Sequence, residues 1–368
     1  MVSRTFYVFT LFLNTHTHSK RRKTHTYRYT GGWCRPQNDG PPLRAKTLVE
    51  YANALTSDLS DSLLGGRPTV SDIWELVKVD LDWTASNYNA DGCDLWEEIR
   101  STDFFWNRYT TRASLLKGSA FAKKQGDDTR SNTYRIAAQE IENELKSHIE
   151  TDSDGMTYLF EADNRKKDSA VICGLNNGNL NDGLYAASGK YAAGTCSVRA
   201  LPSIIYSYSL TSRSNTGTVK VLTDLFCTTF QVNQDDTSAG VPGVLYGRYE
   251  GDSYAGGNPW ILLSSALAEL LYRGASEMRT ASFVTDEDVS TWISVLGLDS
   301  SSSKSDVADA MAGAGDGVLF RVRKHVASSG FHLSEQLDRE TGVLKSANDL
   351  TWSYAATLKA MDARDGAF

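Results

Sequence analysis

Apolar side chains recur every three or four positions in segments spread along most of the chain. Within residues 43–56, Leu48, Tyr51, Ala52 and Leu55 form one such stripe. The same spacing predicts helices over residues 70–85, 104–123, 133–149, 289–296, 316–328 and 352–364. Alternation of apolar and polar residues, which marks a strand, is weak, and its best example is SIIYSYSLT (203–211). We therefore predict an all-α protein of about eight to ten helices.

Local signals mark where several of these helices begin and end. Asn258 followed by Pro259 predicts a helix start, because Asn caps the first free amides and Pro favours the first helical position. Gly274 would end that helix. Residues 150–200 and 230–257 are rich in Gly, Asn and Asp, so we predict long loops, which often carry function on a helical scaffold. Two further starts have the spacing of a capping box: Thr285 with Asp288, and Ser303 with Asp306.

Composition and charge narrow the classes of function that fit this chain. Its 368 residues include 8 Trp, 17 Tyr and 13 Phe, which suits either a large aromatic core or a sugar site, where pyranose faces stack on rings. The net charge of -7 makes nucleic acid a poor candidate for the main partner. No apolar run approaches the roughly 18 residues of a membrane span, so we expect no membrane partner.

The cysteines and the amino terminus leave alternatives open. None of the five cysteines (Cys34, Cys93, Cys173, Cys196 and Cys227) lies in a CxxC spacing, so a zinc site is not expected and the disulfide pairing stays open. Their odd number leaves at least one thiol free. Residues 5–13 (TFYVFTLFL) resemble a signal-peptide core, but no small-residue cleavage site follows, and the basic run SKRRK (19–23) comes next. We therefore interpret residues 1–26 as an atypical segment outside the folded domain rather than as a signal peptide.

Acidic residues beside aromatic ones are the best candidates for chemistry. In DLWEE (94–98), a glutamate beside Trp96 would be desolvated, which raises its pKa towards that of a general acid; the alternative is two exposed glutamates on a helix. SEQ (334–336) precedes the polar and aromatic run DLTWSY (349–354), and GRYEGDSYAGGNPW (247–260) supplies an Arg, an Asp and aromatic residues before a helix. Two carboxylates roughly 6.5–9.5 Å apart would fit an inverting glycosidase, a distance that a sequence does not give.

Five segments, taken in their order along the chain, resemble a known family. They are TGGWCRPQNDGPPLRA (30–45), DLWEEI (94–99), KGSAFA (117–122), GRYEGDSYAGGNPW (247–260) and LSEQLD with SANDLTWSYA (333–355). Together they resemble fungal glucoamylases, the glucan 1,4-α-glucosidases of glycoside hydrolase family 15, from Tyr29 to Arg364. The resemblance implies an (α/α)6 toroid, with its site in the funnel formed by loops at one end of the inner helices.

The resemblance also implies a role for each matching residue. Glu97 matches the general acid and Glu335 the general base of an inverting exo-hydrolase, which releases β-D-glucose from the non-reducing ends of starch, glycogen or maltooligosaccharides. The substrate-binding residues that it implies are Trp33, Arg35, Asp94, Trp96, Glu98, Arg248 and Trp352. It implies no metal and no organic cofactor, and it implies a secreted monomer.

Departures from the family pattern accompany the match. Cys34 stands where the family usually has Gly, and Cys93 where it usually has Tyr. The Tyr-x-Trp-x-Arg-Asp segment that grips the non-reducing-end sugar has no equivalent. We therefore expect a partial catalytic domain over residues 27–368, an incomplete toroid that lacks its first helices, and no starch-binding domain. The alternatives are an inactive relative that at most binds α-glucan and a glucan-sensing regulatory domain; retention of both carboxylates argues against the second.

Overall fold

Helices dominate the part of the chain that the computed structural model describes, residues 34–55, 68–151, 157–178, 185–193 and 217–367. These residues contain eleven α-helices and three two-stranded antiparallel sheets, which confirms the all-α prediction. The helices outnumber the prediction because each of the two predicted loops contains a short one, at Ala170–Gly178 and Gln231–Ser238. The predicted strand at residues 203–211 lies outside the described residues.

The elements follow one another along the chain with short connections. The helices are α1 (Gly40–Leu55), α2 (Val70–Asn87), α3 (Phe105–Lys124), α4 (Asp128–Leu145), α5 (Ala170–Gly178), α6 (Thr218–Thr229), α7 (Gln231–Ser238), α8 (Ile261–Thr280), α9 (Asp286–Leu296), α10 (Lys304–Val326) and α11 (Thr351–Asp365). The paired strands are β1 (Gly92–Cys93) with β2 (Arg100–Ser101), β3 (Ile149–Thr151) with β4 (Thr157–Leu159), and β5 (Gln336–Leu337) with β6 (Leu344–Lys345).

The core lies along two long inner helices, α3 and α8. Fifteen of the twenty residues of α8 are buried, whereas α2 buries six of eighteen, so α8 is central and α2 peripheral. Helix α3 packs against α1, α4 and α5, and α5 connects it to α8, which packs against α10 and α11. One apolar cluster runs through all of these helices, so the described part has a single main core. None of its helices combines the length and the apolar character that crossing a bilayer requires.

Both predicted capping boxes are confirmed at the starts of α9 and α10. The Thr285 hydroxyl accepts from the Asp288 backbone N–H, while the Asp288 carboxylate accepts from the Thr285 backbone N–H. Ser303 and Asp306 form the same reciprocal pair. Each box satisfies two amides that the first helical turn leaves without a partner.

The predicted start and end of α8 are wrong. The helix begins at Ile261, and the Asn258 side chain instead donates to the Gln336 side-chain oxygen at 3.0 Å, tying two loops together. Gly274 lies inside the helix rather than at its end. A Cβ atom there would come within 2.2 Å of the Met311 methyl carbon, so this glycine permits close packing of α8 against α10.

Candidate active site

Three tryptophans from separate elements form a continuous aromatic surface, here called the tryptophan wall (Trp96, Trp260 and Trp352). Trp96 lies in the turn between β1 and β2, Trp260 directly precedes α8, and Trp352 is in the first turn of α11. The ring of Trp96 lies 6.1 Å from that of Trp260 and 6.5 Å from that of Trp352, the latter at an interplanar angle of 29°. Trp352 keeps 41% of its surface exposed, so the wall offers an open aromatic face for a ligand.

A buried carboxylate fixes the orientation of Trp96. The indole N–H of Trp96 lies 3.0 Å from both carboxylate oxygens of Asp168, and the Ala170 backbone N–H donates to the same side chain at 2.7 Å. Burial raises the pKa of Asp168 to about 7, and the nearby charge of Asp94 adds to this, while the hydrogen bonds oppose it. Burial also raises the pKa of the neighbouring Glu161 well above its usual value.

Replacing Asp168 by Asn should make the protein relatively more stable as the pH rises. A raised folded-state pKa gives stability that is complete below the ordinary value of 3.8 and is lost as the pH rises through about 7. The amide does not titrate and can still accept from the Trp96 indole. The free energy of unfolding of Asp168→Asn, relative to the unmodified chain, should therefore increase by about 2–4 kcal/mol between pH 4 and pH 8.

Urea unfolding of both proteins across that pH range measures this difference. All other titrating groups are common to the two proteins, so the difference isolates Asp168. The matched control is Asp163→Asn, on an exposed side chain of the same loop, which should change little with pH. A constant difference between Asp168→Asn and the unmodified chain would contradict the assigned direction of the shift.

Glu97 is held by the chain segment that precedes α1. Its φ of 61° is unusual for a residue with a side chain and places it in a tight turn, closed by its N–H bond to the Asp94 carbonyl at 3.1 Å. Its own carbonyl accepts from the Cys34 N–H at 3.1 Å. Its carboxylate Oε1 accepts from the Gln37 side-chain amide at 2.6 Å, so one oxygen is anchored while the group remains partly exposed. The predicted pair of exposed helical glutamates is therefore wrong, since Glu97 lies in a turn.

A disulfide joins the two positions at which the sequence departs from the family pattern. Cys34 is bonded to Cys93, which adjoins the Asp94–Glu98 turn, and the Cys93 N–H donates to the Pro36 carbonyl at 2.8 Å. The odd number of cysteines predicted a free thiol, and Cys173 is one. The two departures thus form one structural feature rather than two unrelated changes.

Glu335 lies where the β5–β6 hairpin meets the start of α8. Its N–H donates to the Ala347 carbonyl at 2.8 Å, and its carbonyl accepts from the Ile261 N–H at 3.3 Å. The next residue, Gln336, pairs through its backbone with Trp260. The side chain of Glu335 is partly exposed. Glu97 and Glu335 therefore both adjoin the tryptophan wall, Glu97 through Trp96 and Glu335 through the pairing of Gln336.

Arg248 connects the acidic turn to the loop before α8. Its guanidinium donates twice to Asp252, at 2.9 and 2.6 Å, and once to Glu98 at 2.8 Å. The side chain is almost fully buried and lies over the rings of Trp96 and Trp260, 5.6 Å from each centroid. Burial alone would lower the pKa of Arg248, but Asp252 and Glu98 raise it above its usual value. Arg248 is therefore a permanently charged, rigidly oriented donor beside the wall.

A second arginine, which the sequence prediction missed, completes this network. Arg165 donates to Asp94, and to Glu98 at 2.6 Å, and its guanidinium lies 4.1 Å from the ring centroid of Tyr249. The Tyr249 hydroxyl also donates to Glu98 at 2.6 Å. Burial would raise the pKa of Glu98, but the Tyr249 hydroxyl and the two arginines lower it, so this carboxylate stays ionised.

The remaining predicted site residues are placed unevenly. Asp94 is buried and accepts from the backbone N–H groups of Glu98 and Ile99 at 2.8 and 2.9 Å, which shapes the turn around Glu97. Arg35 is exposed and follows Cys34 in the segment that contacts this turn. Trp33 lies outside the described residues. The site residues that were not predicted are Gln37, Arg165, Asp168 and Tyr249.

Comparison with known proteins identifies the family. The model of the glycosyl hydrolases family 15 matches residues 13–362. The chain belongs to glycoside hydrolase family 15. It is 32% identical to a glucoamylase of Blastobotrys adeninivorans over 92% of this chain and 54% of the relative, and 31% identical to glucoamylase-1 of Schizophyllum commune over 92% and 55%. The chain thus spans about half the length of these curated relatives.

Solved structures of the family have the same fold. A glucoamylase from Saccharomycopsis fibuligera matches with a TM-score of 0.70 at 25% identity, covering 92% of this chain and 72% of that one. A family 15 glucoamylase from Hypocrea jecorina matches with a TM-score of 0.69 at 28% identity, covering 92% and 53%. These matches confirm the predicted (α/α)6 class of this family 15 chain.

Proposed function

We propose that this family 15 chain is an inverting, exo-acting glucan 1,4-α-glucosidase. It would release β-D-glucose from the non-reducing ends of starch, glycogen and maltooligosaccharides. The observation that carries the proposal is the convergence of Glu97 and Glu335 on one tryptophan wall, next to a charged Arg248. Partly exposed carboxylates beside aromatic surface are what general acid–base cleavage of a sugar requires.

Each residue has a definite task in the proposed reaction. Glu97 donates a proton to the glycosidic oxygen as the bond from that oxygen to C1 breaks. Glu335 removes a proton from a water molecule, which attacks C1 from the opposite face and inverts its configuration. Since Gln37 donates to Oε1 of Glu97, the other carboxyl oxygen is left to carry the proton. The reaction uses neither a metal nor an organic cofactor.

The other predicted residues would bind and orient the sugar. Trp352 offers its exposed ring for stacking, and Arg248 and Glu98 offer a cation and an anion held rigidly by each other. Asp94 keeps the turn around Glu97 in shape. Arg35, Trp33 and Trp96 complete the proposed substrate-binding set. We further propose that the protein is secreted and acts as a monomer, as the relatives named glucoamylase suggest.

Glucose release from maltotriose and soluble starch by the purified chain tests this function. The anomer formed first should be β-glucose, which proton NMR distinguishes from α-glucose before the two equilibrate. Initial α-glucose would contradict inversion, and shortened oligosaccharides without free glucose would contradict exo-cleavage. The chain must first be shown to be folded, by cooperative urea unfolding, so that an inactive result is informative.

A second candidate is a chain that binds α-glucan without cleaving it. The observation that favours it is the absence of a Tyr-x-Trp-x-Arg-Asp segment from the sequence, since the resemblance implies that this segment grips the non-reducing-end sugar. Quenching of tryptophan fluorescence by maltotriose, with no glucose released over many hours, would support this candidate. Replacing Trp352 by Ala should then abolish the quenching.

A further inference from the structure

We propose that the Cys34–Cys93 disulfide is a positioning element for Glu97, so that its reduction lowers turnover while the fold persists. The inference rests on the proposed function of Glu97 as general acid and adds a redox-sensitive support to it. It follows from the way in which the segment of residues 34–37 and the Asp94–Glu98 turn are joined.

The bond covalently aligns two chain segments that also share backbone hydrogen bonds. The Cys34 N–H donates to the Glu97 carbonyl at 3.1 Å, and the Cys93 N–H donates to the Pro36 carbonyl at 2.8 Å. The two sulfur atoms connect the same pair of segments between these hydrogen bonds. Because a cross-link removes freedom from the segments it joins, the disulfide keeps both hydrogen bonds in register.

The aligned segment delivers the side chain that contacts the carboxylate of Glu97. Gln37, three residues after Cys34, donates its amide to Oε1 at 2.6 Å. Glu97 itself has a φ of 61°, a conformation that persists only where surrounding contacts enforce it. A displacement of Gln37 of about 1 Å would therefore misplace the acid, which can cost up to about a hundredfold in rate.

The rest of the acidic turn is held independently of the disulfide. Arg165 binds both Asp94 and Glu98, and Arg248 binds Glu98. Loss of the cross-link should therefore leave the sugar-binding carboxylate in place and affect mainly the position of Glu97. This separation predicts a change in kcat with little change in KM.

The bond is accessible to reductant from one side. Cys93 is fully buried, whereas Cys34 is partly exposed. A water-soluble phosphine attacks one sulfur and breaks the S–S bond; water supplies two protons for the two thiols and the oxygen for the resulting phosphine oxide. The phosphine supplies the two electrons.

Kinetics on the full chain test the positioning role. We expect kcat for maltotriose to fall about tenfold in Cys34→Ala/Cys93→Ala, with KM within about twofold and the alkaline limb of the kcat/KM profile shifted. Phosphine should produce the same loss in the unmodified chain and no further loss in the double variant, which controls for the other disulfide-bonded cysteine, Cys227. Gln37→Ala should lower kcat in the unmodified chain but add little in the double variant, because both changes act through one contact.

Unchanged kcat in the double variant, or additive losses with Gln37→Ala, would overturn the proposal. Hydrogen exchange gives a readout that needs no activity. The Cys34 and Cys93 amides should exchange at least about tenfold faster after reduction, while the amides of α8 keep their protection. If neither protein releases glucose, the proposed function fails, and the exchange still decides whether the disulfide orders the Glu97 segment: equal rates before and after reduction would refute it.

Discussion

Replacing Glu335 by Gln should lower kcat for maltotriose about a thousandfold, with KM changed little. The amide has nearly the same shape as the carboxylate but cannot accept a proton from the attacking water, and removing a general base costs roughly 10²–10⁴-fold. The fold should persist, because the Glu335 backbone makes the bonds to Ala347 and Ile261 and its side chain is partly exposed. The measurement is the initial rate of glucose release at saturating and at low maltotriose.

Azide rescue and a matched variant separate a base from a merely structural residue. Azide is already an anion and needs no proton removed, so it should restore turnover of Glu335→Gln and yield β-glucosyl azide. The matched control is Glu340→Gln, an exposed glutamate of the same hairpin that pairs with Arg339 at 3.5 Å, and it should retain full activity. A Glu335→Gln protein with more than about a tenth of the original kcat would refute the assignment of the base.

The helices could be predicted because each one buries an apolar stripe of its own. Helix α3 was predicted over residues 104–123 and runs over Phe105–Lys124, and α11 was predicted over residues 352–364 and runs over Thr351–Asp365. The missed helix α7, QVNQDDTS, has only two apolar or amide residues and one aspartate buried, and its polar composition is typical of a loop. Tertiary contacts rather than local sequence therefore determine that element.

The site could be predicted only as far as its residues form recognisable segments. Glu97, Arg248 and Glu335 lie in such segments, and their roles remain proposals. Arg165 was missed because its partners Asp94 and Glu98 are 71 and 67 residues away along the chain. No local pattern marks such a pairing, although the Gly- and Asn-rich stretch around it was predicted to carry function. The disulfide was missed for the same reason, since 59 residues separate its cysteines.

The largest loss of stability among the site residues is expected for Arg248→Met. The methionine would fill the space between the rings but would leave Asp252, which is almost fully buried, without its bidentate partner, and Glu98 without one of its two arginines. Breaking a buried ion pair by removing one partner costs about 3–5 kcal/mol in the free energy of unfolding. Urea unfolding at pH 7 measures this loss, and the variant Arg364→Met is the matched control. Arg364 pairs with Asp316 at the surface, so that change should cost at most about 1 kcal/mol.

The double variant Arg248→Met/Asp252→Asn then identifies the cause of the loss. If the cost arises from the uncompensated charge of Asp252, making that side chain neutral should recover more than half of the lost free energy. Asn at this position can still accept from the Tyr254 N–H through the oxygen that Asp252 uses at 2.9 Å, so the loop before α8 keeps that bond. If the double variant were as unstable as Arg248→Met alone, packing against the tryptophan wall rather than charge pairing would be the main contribution of Arg248.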